Sequence, residues 1–444
     1  MRDVVSLTWP AVLQGMVATA VFSTDRLIIG RYASEALSSM AIASPIAWSV
    51  TSIFGAYMAG VVAVTGRAVG ALDSRRAAAA LRSSLVFAVF IGVIVAAAAW
   101  IGREPLIALL TSEEATSEAV RSGAADYLAI VLCAAPLFFV AATAMASLQA
   151  AGDTRTPLII AAMAGVANLA LSWVLVFGHL GAPELGLRGA AIGTVLAFAL
   201  QAAGALFALH RSRGPLRLSA TSDSDERRRA LGSILRISRS ALGERLLYHT
   251  AYVASIALVG HLGDVSLAAH ESLLGIEAIG FTAAGGFAIA AATLVAQGMG
   301  RKSAEEAYRS GQTAAAIGLA VGLALGAIFL IFPRQLIGLF TTDEAVIETG
   351  AQCLRIAAIA QPAMILADTW SGALRGAGDT FTPLVSAILG PVFMRLGACW
   401  FFAWYLDMGL VGFWIGTTLD WYVRATWTGI AFRRRRWAER YREI

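Results

Sequence analysis

The chain has 444 residues, of which 58% are hydrophobic and 14% charged, and its mean hydropathy is +0.71. So much apolar surface and so little charge exclude an ordinary soluble domain and place the chain in a lipid bilayer. About twelve spans of about 20 residues would use about 240 residues, leaving short connections and no room for an attached soluble domain. The net charge of +5 does not indicate nucleic acid: the basic residues sit between apolar runs rather than on one amphipathic face, where anionic lipid headgroups are the natural partner.

In chain order, apolar runs bounded by charges and glycines predict spans near 5–29, 38–66, 83–102, 126–150, 157–179, 188–209, 236–260, 266–297, 312–332, 354–374, 383–406 and 410–431. The first has Arg2 ahead of an apolar stretch, as a signal peptide would, but Pro10 and Gln14 interrupt its core and it reads as a span. Hydrocarbon offers the backbone no hydrogen-bond partner, so each span is expected to be a helix. The second and eighth runs are long enough to need tilt. Cys133, Cys353 and Cys399 lie within apolar runs and read as small packing residues, with no metal-ligand spacing.

If the spans alternate, one side receives only Arg31, Arg103, Arg121, Arg188, Arg334 and Arg355. The other side takes Arg67, Arg75, Arg76, Arg82, the arginines from Arg211 and Arg213 to Arg239, and the tail from Arg433 to Arg442. This bias predicts an even number of spans in a cell membrane (inner or plasma), with both termini cytoplasmic.

The chain also repeats itself. Ala151-Gly152-Asp153-Thr154-Arg155-Thr156-Pro157-Leu158 recurs as Ala377-Gly378-Asp379-Thr380-Phe381-Thr382-Pro383-Leu384. A mid-span proline, Pro136 or Pro362, stands at the same distance before each copy, and Gly30, Leu37 and Gly70 match Gly260, Leu267 and Gly300. The predicted fold is therefore an all-α integral membrane protein of twelve transmembrane helices, arranged as two parallel six-helix repeats with a central cavity. The boundaries are residues 1–209 for the first bundle, 210–238 for a polar cytoplasmic linker containing Ser219, Thr221, Asp223 and Glu226, and 239–444 for the second bundle and its basic tail.

Ionisable residues within the spans are few, and each is costly in lipid, by about 3 kcal/mol at the bilayer centre on insertion scales. Glu277 lies well inside its span, out of snorkelling reach and with no basic residue three or four positions away, which makes it the foremost proton or cation site. Asp25 is a second candidate; Arg26 points elsewhere on the helix and does not neutralise it. Asp368 stands seven residues before Arg375, so pairing and cavity lining are both open to it. Glu244 adjoins Arg245 as an interfacial pair, yet it matches the polar Gln14 of the first repeat. Asp420 and Arg424 have the spacing of a helix-face ion pair and are set outside the site. Arg395, with no acid in helical reach, is expected to answer one of the other carboxylates. Tyr248 and Gln14 are further cavity candidates, Glu271 is a rim residue, and Pro10, Pro45, Pro136, Pro362 and Pro391 are candidate bending points.

Enzyme motifs are missing: the single lysine, Lys302, follows Arg301 where a phosphate loop needs glycine, and the five histidines are scattered. Energy is then expected from an ion gradient. With Asp25 four residues before Ile29-Gly30, Leu267-Ala268-Ala269-His270 leading to Glu277, and Gly372 to Thr380 around the second glycine-aspartate, the chain resembles the multidrug and toxic-compound extrusion (MATE) family along its whole length. The resemblance implies a monomeric secondary transporter, not an enzyme, that exports amphipathic, often cationic, organic small molecules against H+ or Na+, with no further cofactor. It also implies that Asp25 binds the coupling ion. In the fifth span Asn168 matches the family pattern, whereas Ser172 stands where relatives often carry an acid. A lipid-linked precursor or oligosaccharide flippase of the same superfamily is the alternative, but it would call for a strongly basic cavity.

Overall fold

The computed structural model of the chain describes residues 2–111, 116–212, 214–217 and 222–440; Arg213, Ser219, Thr221 and Arg442 lie outside the described residues. Every regular element among the described residues is helical. In chain order the main ones are α1 (Arg2–Tyr32), α2 (Ser34–Gly70), α3 (Ser74–Leu110), α4 (Glu118–Cys133), α5 (Ala135–Ala150), α6 (Arg155–Phe177) and α7 (Leu187–Arg211). They continue as α8 (Ser224–Gly260), α9 (Asp264–Gly300), α10 (Ala304–Ile331), α11 (Pro333–Ile337), α12 (Glu344–Gly376), α13 (Phe381–Ala387), α14 (Leu396–Trp400), α15 (Gly409–Arg433) and α16 (Arg436–Arg440).

Nine helical segments among the described residues are long and apolar enough to cross a bilayer, and the pair α4 and α5, joined at a 47° bend, makes a tenth. The two remaining expected spans are also helices, α8 and α15. Glu244 and Arg245 in one, and Asp420 and Arg424 in the other, hold their hydropathy down.

The repeat is visible element by element. α2 and α9 each contain 37 residues and end at the matched glycines Gly70 and Gly300. Each is followed by a residue in the left-handed region, Leu72 (φ 56°) or Lys302 (φ 58°), and then by an N-cap. Asp73 accepts the Arg76 amide at 3.0 Å, and Ser303 accepts that of Glu306 at 3.2 Å. The glycine-aspartate repeats have an equally concrete reason: Gly152 and Gly378 turn the chain at φ 90° and 89°, where a side chain is strained. The following aspartates cap the next helix, Asp153 through the Thr156 amide at 2.9 Å and Asp379 through that of Thr382 at 3.0 Å.

The copies differ at their prolines. Pro136 opens α5 just past the bend, whereas its counterpart Pro362 sits inside a continuous α12. Pro10 and Pro45 likewise lie within unbroken helices. Pro391 falls in a π-helical stretch, Ile388–Arg395, whose wide turn accommodates the missing amide and re-aims Arg395. Cys353 and Cys399 are buried as expected; Cys133, at the bend, is exposed instead of packed.

The chain divides into two compact units, one of Leu13–Val61 with Leu72–Ile234, the other of Met1–Val12, Val62–Ala71 and Leu235–Ile444. In the first, α6 packs on α7, and α3 on α4 and α5. In the second, α12 is central, packed on α9, α10 and α15. Gly372 and Gly376 allow α12 to close onto the α9 backbone at Ala288 and Ala292, the close approach that small residues permit between membrane helices. In the same unit the end of α2 crosses the end of α9: a Cβ on Gly70 would strike the Gln297 backbone, and one on Gly300 the Arg67 carbonyl. Arg67 donates to the Ala377 carbonyl at the end of α12.

Candidate functional site

Each unit holds its own buried polar centre. In the first, Asp25 of α1 is 7% exposed, and Asn168 of α6 donates its Nδ2 to Asp25 Oδ2 at 2.8 Å. Ser172, one turn further along α6 and fully buried, lies beside the same carboxylate. Asn168 Oδ1 has no hydrogen-bond partner among the described residues, and the Ser172 hydroxyl is the group that stands beside the second carboxylate oxygen of Asp25. An amide donor to a carboxylate contributes about 1.5–3 kcal/mol, but it serves only one of the two oxygens. What remains is a carboxylate oxygen and an amide oxygen beside a hydroxyl that can donate or accept, a set suited to a proton or a small hard cation. Three turns earlier on α1, away from this centre, Gln14 accepts a hydrogen bond from Gln149 of α5 at 3.1 Å.

In the second unit Glu277 of α9 is 2% exposed, and its only hydrogen bond among the described residues is a long one, 3.4 Å, from Gln361 Nε2 of α12. That same nitrogen also donates to the Ala357 carbonyl at 3.2 Å. Gly280, one turn from Glu277, leaves the room that Gln361 occupies. Arg395 is near enough for its charge to act on Glu277 and Tyr248, which brings three of the predicted residues into one neighbourhood. His270, two turns before Glu277 on α9, is buried with its ring 5.3 Å from Phe413 and 5.6 Å from Trp414. Glu271 beside it is exposed.

The ion pairs differ from those that helical spacing suggests. Asp420 does not pair with Arg424: it takes the Arg395 Nε hydrogen bond at 2.8 Å, from the π-helical turn. Arg424 turns instead to Asp368 of α12, 3.6 Å away, and stacks over Trp421 at 4.2 Å. Asp368 therefore pairs with Arg424 and not with Arg375. Glu244 is not paired with its neighbour Arg245 but receives Arg375 Nη2 of α12 at 2.5 Å. The reason is common to all three: α15 and α12 present charge to adjoining helices, and a partner facing across a helix contact is better placed than one a turn away along the same surface. Neither the Glu244–Arg375 nor the Asp368–Arg424 pair shares a hydrogen bond with Glu277, although Arg424 lies beside Asp420 at Gly390.

Gln361, Asp420 and Arg424 are the site residues that spacing alone missed. A count of in-span charges points to the last two, since Arg395 and Arg424 need two carboxylates between them. The repeat also shows how the halves diverged. Gln14 and Gln149 occupy the positions of Glu244 and Arg375, so a neutral amide contact in one copy is an ion pair in the other. Asp25 answers to Ser255 and Asn168 to Met394, while Glu277 answers to Ala47 and Arg395 to Leu169. Neither polar centre is a copy of the other.

A family model described as MatE matches residues 10–174 and 241–400. The "Probable multidrug resistance protein NorM" of Bradyrhizobium diazoefficiens is 31% identical over 443 residues, covering 97% of this chain and 92% of that protein. The protein of the same description from Thermotoga maritima is 27% identical over 450 residues, covering 99% and 93%. Among solved structures, one described as the outward-facing conformation of a multidrug resistance MATE family transporter of the MOP superfamily aligns with a TM-score of 0.89 at 20% identity, covering 100% of this chain and 96% of that one. A MOP superfamily transporter from Pyrococcus furiosus aligns at 0.87 and 19% identity, covering 100% and 96%. At such identities the likeness concerns the fold.

Proposed function

Because the chain belongs to the MATE family of membrane transporters, we propose that it exports amphipathic, often cationic, organic compounds in exchange for H+ or Na+, with Asp25 and Glu277 as the loading sites. The observation that supports this reading best is the buried Asp25 carboxylate served only by neutral donors, Asn168 and Ser172, with no cation paired to it among the described residues. A buried anion is expensive in a low dielectric, and a bound proton or cation removes that expense. Loading thus lowers the cost of repacking helices around the site and biases the two-state equilibrium that carries substrate across. Substrate and ion need share only that equilibrium, not a contact. The relatives' printed names, which speak of multidrug resistance, agree with a broad substrate range. On this reading the protein works as a monomer in the cell membrane, with both termini in the cytoplasm and no cofactor beyond the coupling ion.

The test is export of ethidium, a fluorescent lipophilic cation, from proteoliposomes under separately imposed pH and sodium gradients. Asp25→Asn and Glu277→Gln should each reduce gradient-driven export at least tenfold. Unchanged export in both variants would refute the site assignment, and export that needs nucleotide instead of a gradient would refute the mechanism.

A further inference from the structure

Two carboxylates in the second unit lie within the influence of one guanidinium, and neither is fully served. Arg395 donates Nε to Asp420 Oδ2 at 2.8 Å, while its Nη2, 2.8 Å from the same oxygen, makes no hydrogen bond among the described residues. Asp420 is completely buried, 0% exposed, and its other oxygen, Oδ1, has no partner among the described residues. This is not the two-oxygen fork that makes an arginine–carboxylate pair hard to separate. Glu277, within reach of the same charge, has only the 3.4 Å amide contact, too little for a buried anion. Arg424, the other arginine nearby, is turned to Asp368 and over Trp421.

We propose that Arg395 is a shared counter-ion, held by Asp420 when Glu277 is neutral and drawn toward Glu277 when it is charged, so that Asp420 sets the cation affinity of Glu277 by competing for one arginine. Asp420 and Arg395 are then positioning residues that act through Glu277. The π-helical turn ending at Arg395 fits the role, because it packs on α15 and carries the guanidinium without the tight hydrogen-bond ladder of an α-helix. The charged and titratable groups around this arginine are Glu277 and His270 from α9, Asp420 from α15, Tyr248 and Tyr252 from α8, and Cys399 from α14. Asp368 and Arg424 form the adjoining pair.

The inference rests on the reading of Glu277 as a loading site, and its test needs no substrate. The full-length protein in lipid bilayers, in sodium-free buffer, is titrated with acid while the infrared band of protonated carboxyl groups is followed, the Glu277 component being the part that Glu277→Gln removes. In Asp420→Asn the freed arginine turns to Glu277, and the component should reach half its height at a pH about one unit lower than in the parent. In the double variant Arg395→Gln/Asp420→Asn the arginine is gone, and the half-height should lie above the parent's. A merely structural role would not reverse the sign. Equal midpoints in all three proteins, shifts in the same direction, or no component removed by Glu277→Gln would overturn the proposal. If Asp420→Asn does not fold, the double variant, which buries no unpaired charge at this pair, decides alone: a midpoint at or below the parent's overturns it. Shifted midpoints without ethidium export would retire the exporter reading only, and export with unshifted midpoints would retire the counter-ion only.

Discussion

At Asp420 the side chain is wholly enclosed and accepts from Arg395, itself 7% exposed, so removing the arginine strands the carboxylate away from water. Breaking a buried pair from one side costs about 3–5 kcal/mol, whereas replacing both partners with apolar residues of similar size is far milder. Arg395→Met is therefore expected to lower the thermal midpoint of the purified protein sharply, and Arg395→Met/Asp420→Leu to recover most of the loss; a scan of tryptophan fluorescence in detergent measures both. Gly390 is part of the same construction, since a side chain there would meet Asp420 and Arg424. How much of this was legible in the sequence follows from what spacing encodes. The depth of Glu277 and Asp25 in their spans could be read from residue numbers, and both are buried. The partners could not, because an i,i+4 interval says that two side chains share a helix face but not whether a third helix supplies a better placed charge. Asp420 and Arg424 share a face, and each nevertheless pairs with a residue from outside α15.

Among the elements, the short α16 depends on charges outside the membrane-spanning core. Arg435, just before it, reaches Glu305 at 2.6 Å and lies over the Tyr308 ring at 3.6 Å, while Trp437 stacks on Phe432 with centroids 5.1 Å apart. Hydrogen bonds from Arg309 and then Arg435 hold the Glu305 carboxyl below the ordinary glutamate range. A group whose folded value is depressed contributes stability that is complete above its unfolded value and lost as pH falls through the folded one. Acidification below the usual carboxylate range should therefore loosen α16, and Glu305→Gln should loosen it at neutral pH; the effect is modest at so exposed a site. Trypsin cleavage after Arg436 measures it, and cleavage independent of both pH and the Glu305→Gln change would refute the link. The glycine-aspartate turns, by contrast, were readable as a repeat, and the structure supplies the reason: a left-handed turn followed by a cap, made twice.

For the molecule as a whole, duplication explains the architecture and divergence explains the chemistry. Matched lengths, caps and crossing glycines recur in both copies, and this was legible because turns and close approaches constrain residue type strongly. The polar centres were not legible as a pair because they do not recur. The crossing of α2 and α9 gives a test at this scale. Gly300→Ala drives a methyl into the Arg67 carbonyl and should cost about 1–3 kcal/mol of stability. Gly285→Ala, on the same helix with nothing within 4 Å, should be neutral or stabilising. Equal thermal midpoints for the two variants would show that the crossing tolerates expansion. The bend between α4 and α5 has a different use. It leaves Cys133 as the one exposed thiol of the chain, while Cys353 and Cys399 are sealed in the interior. An apolar maleimide carrying a spin label would thus mark a single joint without any engineered cysteine, and its spectrum would report whether that joint straightens as the transporter cycles.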